Sequence, residues 1–144
     1  MKRRRLFIWR HKTNLISAMK NPKIVVSFEH RILLVKYLEN AIITDEDLKE
    51  IYSLAEVKAK WKPYCIMFEA LNHYEVTEDA ITYLSNNPHN KNILAKAYVI
   101  NTKEAELKTK FHFLFDNPAL KPYTFKNSED AKKYLVDVIN KSIP

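Results

Sequence analysis

Residues Tyr64–Leu84 read YCIMFEALNHYEVTEDAITYL. The apolar run Tyr64–Phe68 has the length and composition of a buried strand. A polar connector, Glu69–Glu75, follows it. Thr77 then opens an amphipathic helix, because its hydroxyl can accept one of the orphan N–H groups of the first turn. Val76 and Ile81 have the spacing of a hydrophobic staple. Glu78 and Asp79 place two carboxylates where the helix dipole favours negative charge, by about 0.3–1 kcal/mol each. Strand, connector and helix in this order form one unit of an α/β sheet. Sites in open α/β sheets lie at the carboxyl ends of the strands, so the working surface is expected in this stretch.

The alternation continues on both sides. Downstream, Asn86-Asn87-Pro88-His89-Asn90 is a loop and Ile93–Ile100 a buried strand. Asn101-Thr102-Lys103-Glu104 is a capping signal ahead of an apolar helical face of Leu107, Phe111, Leu114 and Phe115, which Asp116-Asn117-Pro118 ends. Tyr123-Thr124-Phe125 is a short strand. Ser128-Glu129-Asp130 starts a last helix with the face Ala131, Tyr134, Leu135, Val138 and Ile139. Upstream, Lys23–Phe28 and Arg31–Tyr37 are two aliphatic strands separated only by Glu29 and His30, which predicts a β-hairpin. Thr44-Asp45-Glu46-Asp47 starts a helix whose face is Leu48, Ile51, Tyr52 and Ala55. Pro63 prevents its continuation, and Trp61 is expected as a core aromatic capping it. The order β-β-α-β-α-β-α-β-α predicts an α/β fold: a mixed, mostly parallel sheet of about five strands with four helices and right-handed crossovers.

The chain has 144 residues and no glycine, which suits one domain and excludes glycine-rich phosphate loops. Turns must use Asn, Asp, Pro or Ser. The single cysteine, Cys65, lies in an apolar run and is read as a buried small hydrophobe. The net charge of +7 is unevenly spread. Lys2, Arg3, Arg4, Arg5, Arg10 and Lys12 account for six of the 24 basic residues within the first 18 positions, which hold no acid, so the rest carries 18 bases against 17 acids. Residues 1–21 are therefore read as a basic arm, disordered or added as an edge strand through Phe7 and Trp9, and residues 22–144 as the domain. A nucleic-acid-binding fold carries its basic stripe on the fold itself, so nucleic acid is disfavoured as a partner. Membrane contact is expected only weakly, through the arm. The apolar run Leu6–Trp9 is too short for a signal peptide or a membrane span, and a cytoplasmic location is expected.

The histidines His11, His30, His73, His89 and His112 include no pair at the i, i+4 spacing of a zinc site, and one cysteine cannot complete a structural one. No metal and no cofactor is expected. Glu69, Asn72, His73 and Glu75 cluster in the connector. A histidine beside carboxylates has the chemistry of a general base, and a hydrolase using His73 and Glu69 is one alternative. The connector offers no serine or cysteine nucleophile and no oxyanion-hole glycine, so its residues are read as a polar loop and no catalytic residue is assigned. His112 with Phe113, and the loop Asn86–Asn92, are secondary contact candidates.

The stretches FEALNHYEVTEDAITYL, KAYVINTKEAELKTKFHFLFDNP and YTFKNSEDAKKYL, in this order behind a hairpin, resemble the STAS fold of anti-sigma factor antagonists, and more closely small bacterial SpoIIAA-like domains grouped with STAS and with the CRAL-TRIO lipid-transfer domains. The resemblance runs from about Lys23 to Ile139. It implies a non-enzymatic module that binds another protein. In phosphoswitch STAS proteins an Asp-Ser-Ser-Gly run starts the helix after the third main strand, and its serine is phosphorylated by a partner kinase. That run falls here on Thr77-Glu78-Asp79-Ala80: carboxylates stand in place of the serines and alanine in place of the glycine. The resemblance thus implies a partner surface of Asn72, His73, Glu75, Thr77, Glu78 and Asp79, without the usual phosphoacceptor. Alternatives are a small apolar or lipid ligand, as in the CRAL-TRIO relatives, and a homodimer through the hairpin edge.

Overall fold

The computed structural model describes residues 7–11, 14–17, 23–71, 73–86, 91–104, 106–107 and 123–142. In chain order these form β1 (Phe7–His11), β2 (Asn14–Ser17), β3 (Ile24–Glu29), β4 (Ile32–Tyr37), β5 (Ala41–Ile43), α1 (Asp45–Lys58), β6 (Tyr64–Glu69), β7 (Tyr74–Val76), α2 (Glu78–Ser85), β8 (Ile93–Val99), β9 (Tyr123–Phe125) and α3 (Ser128–Ser142). Lys103, Glu104, Glu106 and Leu107 are also helical, with the Glu106 N–H donating to the Thr102 carbonyl. Among the described residues three helices are thus complete, against the four expected. Most of the segment expected to carry the fourth, including Phe111, His112, Phe113, Leu114 and Phe115, lies outside the described residues, and Leu107, expected on its buried face, is exposed.

One sheet runs in the order β2-β1-β3-β4-β6-β8-β9. The β4–β6, β6–β8 and β8–β9 pairs are parallel, as is β1–β3, while β3–β4 and β1–β2 are antiparallel. The mixed, mostly parallel character follows from the alternation of strands and helices after the hairpin. The five strands from β3 to β9 match the expected sheet. The arm extends it, with Phe7–Arg10 in register beside Ile24–Ser27.

The hairpin turns on His30 and Arg31, one residue later than the spacing suggests, with φ of 51° and 64°. Two left-handed central residues are the signature of a two-residue turn that matches the twist of the strands. Glycine is the usual occupant. Without it the turn is tied down otherwise: the Cys65 N–H donates to the Arg31 carbonyl at 3.0 Å, and the Arg31 guanidinium donates to the Pro63 carbonyl.

The central strands are buried on both faces, and alternate side chains serve two cores. Tyr64, Ile66 and Phe68 of β6 and Tyr98 of β8 pack under α1 and α2 with Leu48, Ile51, Tyr52, Ala55 and Ala80. Cys65 and Met67 of β6 and Ala95, Ala97 and Val99 of β8 pack under α3 with Ala131, Leu135 and Ile139. The small β8 residues let α3 approach the sheet closely. Burial pushes the Cys65 thiol up to about 12, so the cysteine is an inert core residue.

Thr44 caps α1 as its sequence suggests. Its hydroxyl accepts from the Asp47 N–H at 3.2 Å, while Asp47 Oδ2 accepts from the Thr44 N–H at 2.9 Å, a reciprocal capping box. Asp47 is buried and ion-paired at 2.7 Å with Lys23, which ties the start of β3 to the start of α1. The cap of α3 is Asn127, one residue before the serine expected to begin it: its Oδ1 accepts from the Asp130 N–H at 2.8 Å.

The C-terminus of α1 forms a Schellman motif: the Trp61 N–H reaches the Glu56 carbonyl at 2.9 Å and the Lys60 N–H the Val57 carbonyl at 3.1 Å. Lys60 occupies the position where glycine is usual, at φ 56°, and Trp61 follows at φ 62°. A side chain in this region costs about 1–2 kcal/mol relative to glycine. Lys60→Gly is therefore expected to stabilise the protein by about 1 kcal/mol and raise Tm by about 2–4 °C, measured by thermal unfolding. The second left-handed residue also corrects one expectation. Trp61 is not a core aromatic capping the helix; its side chain is turned outward and is 66% exposed.

Two short strands escape the sequence patterns. Ala41–Ile43 and Tyr74–Val76 pair in parallel as a separate ladder, continued by the Asn40 N–H to the His73 carbonyl at 2.7 Å and the Thr77 N–H to the Ile43 carbonyl at 3.0 Å. The polar connector after β6 is thus half strand, and Tyr74 is buried against the Tyr37 ring at 4.9 Å between centroids.

Candidate functional site

The parallel strands β4, β6, β8 and β9 end on the same edge of the sheet. The connector after β6, the start of α2 and the helical turn after β8 meet there. β7 fixes the connector, so that Glu75, Thr77, Glu78 and Asp79 leave the β5–β7 ladder in a defined order. Thr77 is held from both sides. Its N–H is in the ladder and its hydroxyl accepts from the Ala80 N–H at 3.2 Å, closing the first turn of α2. Its position is half-buried, whereas Glu78 and Asp79 are exposed.

His73 joins the two connectors. Its Nε2 lies 3.3 Å from Glu75 Oε2 and its Nδ1 3.1 Å from Glu104 Oε1, with all three side chains largely exposed. A protonated imidazole donates from both nitrogens and satisfies both carboxylates; a neutral one donates from one. The arrangement is an acidic edge of Glu75, Glu78, Asp79 and Glu104 centred on a histidine clasp. Exposed pairs of this kind contribute little to stability, about 0–1 kcal/mol, so the edge is free to serve recognition.

Of the expected partner surface, His73, Glu75, Thr77, Glu78 and Asp79 lie along this edge, and Asn72 falls outside the described residues. Glu104 is an addition. In sequence it reads as part of a capping signal, and only the parallel register of β6 with β8, Glu69 beside Val99, brings its connector to that of His73. The pairing that a hydrolase of His73 and Glu69 requires is not formed. His73 engages Glu75 and Glu104, while Glu69 lines a cleft against α3 with Val25, Leu34, Lys36, Met67 and Lys132. That cleft is about 240 Å³ and open to solvent. A second, about 390 Å³ and also open, lies between Ile100, Thr102, Lys103, Thr124, Phe125 and Lys126. Neither encloses a ligand as pockets that bury most of a small molecule do. Among the described residues no group of three His, Cys, Asp or Glu side chains is gathered to hold a metal ion, and no helix is long and apolar enough to cross a membrane.

A mixed sheet with a leading hairpin, parallel crossovers and a capped helix after the central strand defines the SpoIIAA-like class of fold. A crystal structure of an uncharacterised protein of the DUF3478 family from Shewanella loihica PV-4, with a SpoIIAA-like fold, is similar over 78% of this chain and 91% of that one, with a TM-score of 0.56 and 18% identity. The chain itself belongs to the family described as a domain of unknown function, DUF7793, whose model matches residues 26–139. No curated protein matches.

Proposed function

We propose that this chain is a non-enzymatic interaction module that binds another protein through the edge formed by His73, Glu75, Thr77, Glu78 and Asp79, extended by Glu104. The observation that carries the reading is the state of Thr77. It is the one hydroxyl on the stretch where STAS relatives carry phosphoacceptor serines, and it is already used as a helix cap. The neighbouring carboxylates are exposed and make no structural demand that would explain them beyond the helix dipole. Recognition by this edge is therefore constant rather than switched by phosphate, and a complementary partner presents a basic surface. The module acts in the cytoplasm and without cofactor. Charge reversal tests the edge: in capture from the source cell, Glu78→Lys with Asp79→Lys is expected to weaken the complex by tenfold or more, since opposed like charges at an interface cost several kcal/mol. A complex indifferent to both changes would remove the edge from the interface.

A further inference from the structure

We propose that the corner at the end of α1, centred on Trp61, docks on the surface of an anionic lipid bilayer. It lies at the amino end of β6, opposite the acidic edge. Trp61 is 66% exposed and Val57, four residues earlier, 61%. The Schellman motif does not require the indole, because that motif commonly packs its final residue back on the helix, and here a second left-handed residue at φ 62° turns it away. A bulky side chain in that conformation is an outlier of the kind found at ligand clamps and contact sites. The segment that carries it has charge of one sign. Lys58-Ala59-Lys60-Trp61-Lys62-Pro63 contains three lysines and no acid, and Arg31 is fastened to the same corner through the Pro63 carbonyl. Glu56, the nearest preceding acid, is buried.

Two features favour a bilayer over an acidic protein. The corner is a tight turn projecting from a helix end, and neither of the two clefts described above borders it. An interfacial tryptophan needs none: its amphipathic ring settles at the headgroup level from any projecting turn. Lysines beside it gain from the negative surface potential and extend their ammonium groups to the headgroups. One indole and a few lysines give reversible attachment, not insertion. The site lies at the opposite end of β6 from the acidic edge, which stays free for a protein while the corner rests on lipid.

The test uses the full chain with Trp9→Phe, leaving Trp61 as the sole tryptophan and excited selectively over the tyrosines, mixed with vesicles of equal parts phosphatidylserine and phosphatidylcholine, with vesicles of phosphatidylcholine alone, and with polyglutamate. The expected result is sedimentation with the anionic vesicles, a blue shift and acrylamide shielding of the Trp61 emission on them, and loss of all three effects in phosphatidylcholine alone. Trp61→Ala in the native background, and separately Lys60→Glu with Lys62→Glu, should each reduce sedimentation at least fivefold. The exposure of all three side chains lets these variants fold, which an unchanged unfolding transition for Trp61→Ala verifies. Absence of a shift on anionic vesicles overturns the proposal. So does sedimentation that Trp61→Ala leaves unchanged, which would assign binding to the arm. A shift with polyglutamate but not with vesicles would overturn it in favour of an acidic protein.

Discussion

Lys96→Met is expected to destabilise the protein by about 3 kcal/mol, lowering Tm by about 10 °C. Lys96 is fully buried in β8, a strand paired on both sides, and its ammonium lies over the Tyr52 ring, 5.8 Å from the centroid. One turn further along α1, Glu56 is 2% exposed and accepts from Asn92 Nδ2 at 2.6 Å. Tyr64 adjoins the same carboxylate: its hydroxyl is held protonated, chiefly by burial and then by the Glu56 charge. The layer between α1 and the sheet thus holds a buried cation from β8, over Tyr52, and a buried anion from α1, one turn further along that helix. Methionine fills nearly the volume of lysine, so the substitution isolates charge from packing. It removes one of two opposite charges buried in the same layer, and losing one such charge alone is far costlier than replacing both. Adding Glu56→Gln should recover most of the loss. Urea unfolding of the two single variants and the double variant measures the coupling. A neutral Lys96→Met would show that Glu56 does not depend on Lys96.

Asp47→Ala is expected to cost about 2–3 kcal/mol, combining a lost cap of about 1 kcal/mol with a broken, largely buried charge pair. The carboxylate has two tasks. It accepts the Thr44 N–H at the start of α1 and faces the Lys23 ammonium at 2.7 Å. Removing it leaves that N–H unpaired and strips Lys23, which also donates to the Ile42 carbonyl, of its counter-charge. Asp47→Asn keeps an acceptor for the Thr44 N–H and loses the charge, so it should cost roughly half as much. Equal losses in the two variants, read from urea midpoints, would assign the whole effect to the ion pair.

Both predictions concern residues whose importance the sequence does not announce. Asp47 is visible as part of a helix start, but its partner Lys23 is 24 positions away and only the fold brings them together. Lys96 interrupts an apolar strand, and a charge inside a strand buried on both faces was the available signal. The hairpin, the start of α1 and the last helix are legible because each rests on local rules: two aliphatic runs around a tight turn, a threonine followed by three acidic residues, and a clean helical stripe. β5 and β7 are not, because three residues are too few for a period-two pattern to stand out. Trp61 was misread because aromatic residues at a helix end are usually core, whereas the backbone at Lys60 and Trp61, left-handed in a chain that has no glycine, sends this ring to solvent. At the candidate site, Thr77, Glu78 and Asp79 were legible as a capped acidic helix start. Glu104 was not, because its approach to His73 depends on the register between β6 and β8.

The edge running from His73 to Asp79 is proposed to contact a protein partner. Amide hydrogen exchange of the captured complex against the free chain tests it most directly. The prediction is slowed exchange at 73–80 and at 103–104, where His73 clasps the two connectors, with the face of α3 unchanged. Slowed exchange confined to α3 or to the hairpin, with 73–80 exchanging as in the free protein, would contradict it.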